Sequence, residues 1–277
     1  TQYNDQLIKL EQHLIRLGYH PERLMHLPPL RRCRGIPSSV RAVIVPDRAQ
    51  LSPADRKMVE DFVRSGGTLV ALGRGATLRA VTFDEPGPAD SLFGVSGTGY
   101  LANGPFTALV EEEELNLSGP LLHIRPAKAS PIFWARHFRG GELALVTLHK
   151  VGSGRAWLVG APEAVLLEQP RILDRLWKEA IGEPATRLLN HPGRYTVRLR
   201  RQGARTILHV IDSISTVEGP MRRYRPLYER LALNTLVLPR FERASVVPSG
   251  QSLRIISEGA WKIIEVFPDP ELTIVLE

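Results

Sequence analysis

Residues 42–72 read AVIVPDRAQLSPADRKMVEDFVRSGGTLVAL, and this stretch decides the fold expected of the first half of the chain. Ala42-Val43-Ile44-Val45 is a short apolar run of the kind a strand buried on both faces requires. Pro46-Asp47 ends it. Ser52 is placed to cap free helical amides, Pro53 fits the first helical position, and Asp55 favours the positive helix start. Ala54, Met58 and Phe62 recur at helical spacing beside Val59 and Val63, which predicts one apolar face. Gly66-Gly67 stops the helix, and Thr68 to Leu72 is a second apolar run. A helix that crosses over between two such strands makes them parallel. The unit itself contains no evident catalytic residue.

Outward from this unit, Tyr3 to Leu17 carries leucines at 7, 10, 14 and 17, the stripe of an amphipathic helix that Gly18 ends. A short strand is expected over residues 23–27. After Leu72 comes a loop rich in Gly, Pro and Asp, and Ser91 to Val95 reads as a helical turn with its exit. Between Gly97 and Gly160 the pattern is strand-like. Glu142 to His149 and Arg155 to Val159 flank a glycine-containing hairpin loop. Pro170 opens a helix with Ile172, Leu173, Leu176, Trp177 and Ala180 on its buried face, and Gly182 ends it.

Glu183-Pro184 reads as a linker, beyond which no helical pattern survives. Tyr195 to Arg200 and Thr206 to Ile211 alternate with period two about Arg201-Gln202-Gly203. Further short runs follow at 231–238, 252–256, 261–266 and 272–276. The expected architecture is α/β. A flavodoxin-like three-layer domain is expected over residues 1–182, and a small all-β sandwich domain over residues 185–277.

The 277 residues include one cysteine, so no internal disulfide can form. No apolar run reaches the ~20 residues of a membrane span, and the N-terminal residues lack signal-peptide character. A cytoplasmic chain without a membrane partner is expected, either processed or part of a longer protein. The formal charge is +7, and 30 of the 36 basic residues are arginine. An arginine-rich nucleic-acid binder is one reading. The arginines are scattered among 29 acidic residues with no zinc finger or basic helix, which favours solvated faces instead.

Candidate chemistry is sparse. Cys33 lies in Arg32-Cys33-Arg34, without the glycine-flanked strand-to-helix elbow that exposes a nucleophile, and so reads as a bystander thiol. The eight histidines show no metal-ligand spacing, and neither a metal nor a cofactor is expected. His209 and Asp212 are near enough along one strand for contact. Glu111 to Glu114 offers carboxylates in a run typical of a solvated edge. Gly73-Arg74-Gly75 begins like a dinucleotide loop, but Leu78 replaces the third glycine. Open α/β sheets bind ligands at the carboxyl edge. That edge presents Asp47, Arg48 and Arg74, the candidate ligand-binding residues, for which a plain ion pair is the structural alternative.

Val45-Pro46-Asp47, Leu51-Ser52, Phe62 to Val70, Leu92-Phe93-Gly94-Val95, Gly152 to Arg155 and His209 to Asp212 together resemble a known module. It is the class I glutamine-amidotransferase-like, β-galactosidase trimerisation-type domain of glycoside-hydrolase-like proteins, followed by their C-terminal β domain. In that family the catalytic carboxylates sit on a preceding (β/α)8 barrel, and the amidotransferase-like domain has lost its cysteine nucleophile. The resemblance implies a non-catalytic accessory or oligomerisation portion whose barrel is absent from this chain. The module's first strand, expected before Tyr3, is also absent. Self-association, with a trimer as the first expectation, or an N-terminal barrel would supply the partner. A degenerate amidotransferase-like hydrolase is the enzymatic alternative.

Overall fold

The computed structural model describes residues 2–21, 36–37, 40–49, 51–75, 90–100, 104–110, 112–212, 227–268 and 271–277. Cys33, Leu78, Glu111 and the strand expected over residues 23–27 lie outside them. The chain divides into two compact units. The first is Thr1–Leu7 with Leu24–Gly182, and the second is Ile8–Arg23 with Glu183–Glu277. Helix α1 (Gln2–Arg16) contributes to both.

In the first unit, β1 (Ala42–Val45) and β2 (Thr68–Leu72) pair in parallel through the crossover helix α2 (Pro53–Arg64). Ser52 Oγ accepts from the Asp55 amide at 3.2 Å, the expected N-cap. Strand β9 (Gly154–Val159) lies parallel on the other side of β2. There the parallel part ends. β8 (Glu142–Val151), β7 (Ser130–His137), β4 (Gly104–Val110) and β5 (Glu113–Gly119) continue the sheet antiparallel. β8 also pairs with β6 (Leu122–Pro126), which carries β3 (Val95–Tyr100).

The three-layer, flavodoxin-like expectation is therefore corrected. Strand outweighs helix, 47% to 18%, and the sheet curls into a half-barrel. Among the described residues a single helix crosses between adjacent parallel strands. Everything from β3 to β8 pairs antiparallel, so no second row of crossover helices is required.

The buried face of α2 also differs from the expected stripe. Val59 and Val63 are buried, but Ala54 is exposed, and Asp55 and Arg56 are buried instead. Arg56 is held by both oxygens of Asp90, at 2.7 and 2.8 Å, and by Glu60 at 3.0 Å. Asp90 Oδ1 also accepts from the Leu92 amide at 3.0 Å, which ties the turn before β3 to α2. Helix α3 (Glu163–Leu166) precedes α4 (Pro170–Ile181). All five residues expected on the inner face of α4 are fully buried. Gln169 donates to Asn116 O at 2.8 Å, capping a carbonyl of the terminal strand β5.

The second unit holds two four-stranded sheets. One has the order β10 (Thr186–Leu188), β13 (Glu229–Asn234), β16 (Trp261–Val266), β15 (Ile255–Glu258). The other is β11 (Tyr195–Gln202), β12 (Arg205–Asp212), β17 (Glu271–Leu276), β14 (Ala244–Val247). Tyr195, Leu208 and Ile274 of one sheet share a core with Leu231, Leu233 and Ile264 of the other. Leu10 and Leu14 of α1 are buried as well.

Candidate functional site

The carboxyl ends of β1, β2 and β9 bring three loops together. Asp47 follows β1, Gly73-Arg74-Gly75 follows β2, and Glu163 opens α3 after β9. Asp47 Oδ1 accepts from the Arg74 amide at 2.7 Å, and Oδ2 accepts from Arg74 Nη2 at 3.0 Å. The Asp47 amide in turn donates to Glu163 Oε2 at 3.0 Å. Asp47 and Glu163 are both buried.

The glycines are there for close approach. Gly73 has φ +53°, and a Cβ on it would fall 2.1 Å from Asp47 Oδ1; one on Gly75 would fall 2.4 Å from Pro46 O. The Gly-Arg-Gly sequence thus lets the backbone close over Asp47, which accounts for it without a dinucleotide.

Burial pushes the Glu163 carboxyl above the usual carboxylate range. The Asp47 amide opposes that shift, the Asp47 carboxylate adds to it, and Arg48 draws it down. Arg48 itself is exposed. Of the three residues expected here, the structure joins Asp47 and Arg74 in an ion pair and leaves Arg48 at the rim. Glu163 was not foreseen. It lies 116 residues from Asp47, and no local pattern marks it.

The other candidates separate. His209 and Asp212 are three apart on β12, so period two sends them to opposite faces. His209 Nδ1 lies 3.2 Å from Thr273 Oγ1, whereas Asp212 is buried and bonded to Arg194 at 3.0 and 3.2 Å. Glu113 and Glu114 are exposed at the start of β5, and Glu113 pairs with Arg171 at 2.5 Å. Among the described residues no group of three His, Cys, Asp or Glu could hold a metal ion, and no helix is long and apolar enough to cross a membrane.

No protein family matches the chain in sequence, and no curated protein is similar to it. Solved structures share its fold. A β-galactosidase from Bacillus circulans sp. alkalophilus superposes with TM-score 0.61 at 16% identity, over 99% of this chain and 38% of that one. A catalytic mutant of a GH42 β-galactosidase from G. stearothermophilus gives 0.60 at 12% identity, over 96% and 36%. The α-L-fucosidase isoenzyme 2 of Paenibacillus thiaminolyticus gives 0.58 at 14%, over 98% and 45%. The chain therefore has a glycoside-hydrolase-related fold and spans less than half the length of each of these enzymes.

Proposed function

We propose that this chain is a non-catalytic accessory portion of a glycoside-hydrolase-like protein, acting in self-association or as the support of a catalytic barrel. One observation carries the reading. At the sheet edge where an α/β ligand site would open, Asp47 and the Arg74 guanidinium neutralise each other, and Glu163 bonds the main chain. Those groups hold loops together and offer no pair of free carboxylates. The likeness to part of each larger glycoside hydrolase supports the same reading. So does the use of the arginines: Arg136, Arg171, Arg175, Arg205 and Arg240 all face glutamates, a pattern unlike a nucleic-acid surface.

Two measurements test it together. The chain alone is assayed on nitrophenyl galactoside, fucoside and mannoside, and its mass is followed by light scattering over a wide concentration range. The expected result is no turnover and a mass rising toward a trimer, with each contact burying roughly 1,200–2,000 Å² in total. Turnover that disappears in Asp47→Asn would replace the accessory role with a hydrolase. A monomeric mass at the highest concentration would leave the barrel as the partner and remove self-association.

A further inference from the structure

The outer face of the sheet β10, β13, β16, β15 is set by period two. Leu231, Ile264 and Val266 point into the core of the second unit. Arg230 and Glu265, opposite each other on β13 and β16, therefore point out of it. The alternation runs one residue beyond each strand, where Tyr228 and Phe267 meet. Their ring centres are 5.3 Å apart and their planes are tilted by 54°. Phe267 is 62% exposed and Tyr228 is half-buried. Leu189, whose amide bonds the Arg230 carbonyl, adds a third exposed apolar side chain.

Polar groups stand beside these rings on the same face. The Tyr228 hydroxyl donates to the Glu265 carboxylate. Arg230 Nη2 reaches Glu258 Oε1 on β15 at 3.4 Å, and Arg230 Nε has no partner. Arg187 of β10 lies over the ring of Trp261, 4.6 Å from its centre. The ladder thus sets two arginines, 187 and 230, with two glutamates, 258 and 265, on one surface.

We propose that this face binds a neutral saccharide, whose C–H surface lies on Phe267 and Tyr228 and whose hydroxyls bond Arg230, Glu258 and Glu265. The charges on the face cancel, so a charged ligand gains nothing from it. A neutral ligand has to offer a flat apolar surface to the rings and both donors and acceptors at its rim. A pyranose does both, because its C–H bonds gather on the ring faces and its hydroxyls project around the edge. The guanidinium of Arg230 has N–H donors to spare, and each glutamate keeps acceptor capacity beyond its printed partner. Tyr228 is held by Glu265 and Arg230 by Glu258, so little side-chain freedom is lost on binding. The proposal deepens the accessory reading by giving that portion a ligand, and its test reads occupancy of one face rather than turnover or mass.

Backbone amide shifts of the whole chain are followed by NMR during titration with cellohexaose, mannohexaose and a β-1,4-galactan tetrasaccharide. A uronic-acid tetrasaccharide and a proline-rich peptide serve as the charged and peptide arms. The expected result is millimolar binding of at least one neutral saccharide, with shifts centred on residues 228–230, 258 and 261–267. Phe267→Ala removes an exposed ring and should weaken that binding about tenfold. Arg230→Met keeps an unbranched stem, removes the donors and should weaken it as much. Trp134→Ala, which removes an exposed ring of the first unit, should bind as the wild type does. The proposal fails if no neutral saccharide shifts these amides, if the shifts centre elsewhere, or if Phe267→Ala binds unchanged. Preference for the uronic acid or the peptide at this face would replace the saccharide and overturn it as well. A monomeric mass or turnover of glycosides would remove the accessory reading and leave the occupancy of this face standing.

Discussion

A carboxylate that ends a strand beside a Gly-Arg-Gly turn can serve a ligand or its own loops, and Asp47 serves its loops. Glu163 completes the arrangement by accepting the Asp47 amide. Its raised pKa gives a signed prediction. A buried carboxyl that resists ionisation lowers folded-state stability above the ordinary carboxylate value of 4.5, and that penalty vanishes as pH falls below it. Glu163→Gln keeps an acceptor and removes the charge. It should be at least as stable as wild type at pH 7, with any advantage lost in acid, as read from urea unfolding at several pH values. Glu163→Ala instead leaves a buried amide unpaired and should cost about 1–3 kcal/mol. Asp90→Ala should cost more, about 3–5 kcal/mol, because it removes both bonds to the buried Arg56 Nη2 and leaves Glu60 as the carboxylate on that guanidinium. Asp47 and Arg74 were legible because both stand at the ends of recognisable strands. Glu163 and the Arg56–Asp90 pair were not, because a charged residue that will be buried looks like any exposed one until its distant partner is known.

At the scale of elements, local signals carried well where a single element decides the outcome. The Ser52 cap, the Pro53 start and the inner face of α4 follow from propensity and period alone. The apolar stripe of α2 was misplaced, because Arg56 turns inward to reach Asp90 and rotates the buried face toward Asp55. The β8–β9 hairpin was legible from its glycine-containing loop, but the tightness of its packing on α2 was not. A Cβ on Gly154 would fall 1.9 Å from Val63 O and 2.4 Å from Gly67 O, main-chain atoms that cannot swing aside. Gly203 sits at φ +60° with open space around it. Gly154→Ala should therefore separate α2 from the sheet, lower the melting temperature sharply and reduce soluble yield. Gly203→Ala should cost only the left-handed backbone strain, about 1–2 kcal/mol. Equal melting temperatures for the two variants would show that the approach at Gly154 is not what holds the hairpin to α2.

Over the whole molecule, the parallel trio β1, β2 and β9 was partly visible, since a crossover helix dictates parallel pairing. The run from β3 to β8 was visible as strands but not as a topology. Antiparallel partners far apart in sequence share no local mark, and the branch at β8, where Ala144 meets both Ile124 and Trp134, has no signature in periodicity. Among the described residues, the cluster around Val63 and Leu158 and the cluster around Leu208 and Leu231 share no side chain. This separation has a measurable consequence. Trp157 and Trp177 are buried in the first unit, and Trp261 lies in the second under the Arg187 guanidinium, 4.6 Å from its ring centre. Each compact unit has a buried cluster of its own, and two-state behaviour belongs to a single cooperative core. Guanidinium unfolding followed by tryptophan fluorescence should therefore give two transitions. Trp261→Phe should delete the signal of one of them and leave the midpoint of the other in place. A single transition, unchanged in midpoint by that substitution and coincident with loss of the circular-dichroism signal, would mean that the units unfold as one body. In that case α1, which belongs to both units, becomes the element to test for the coupling.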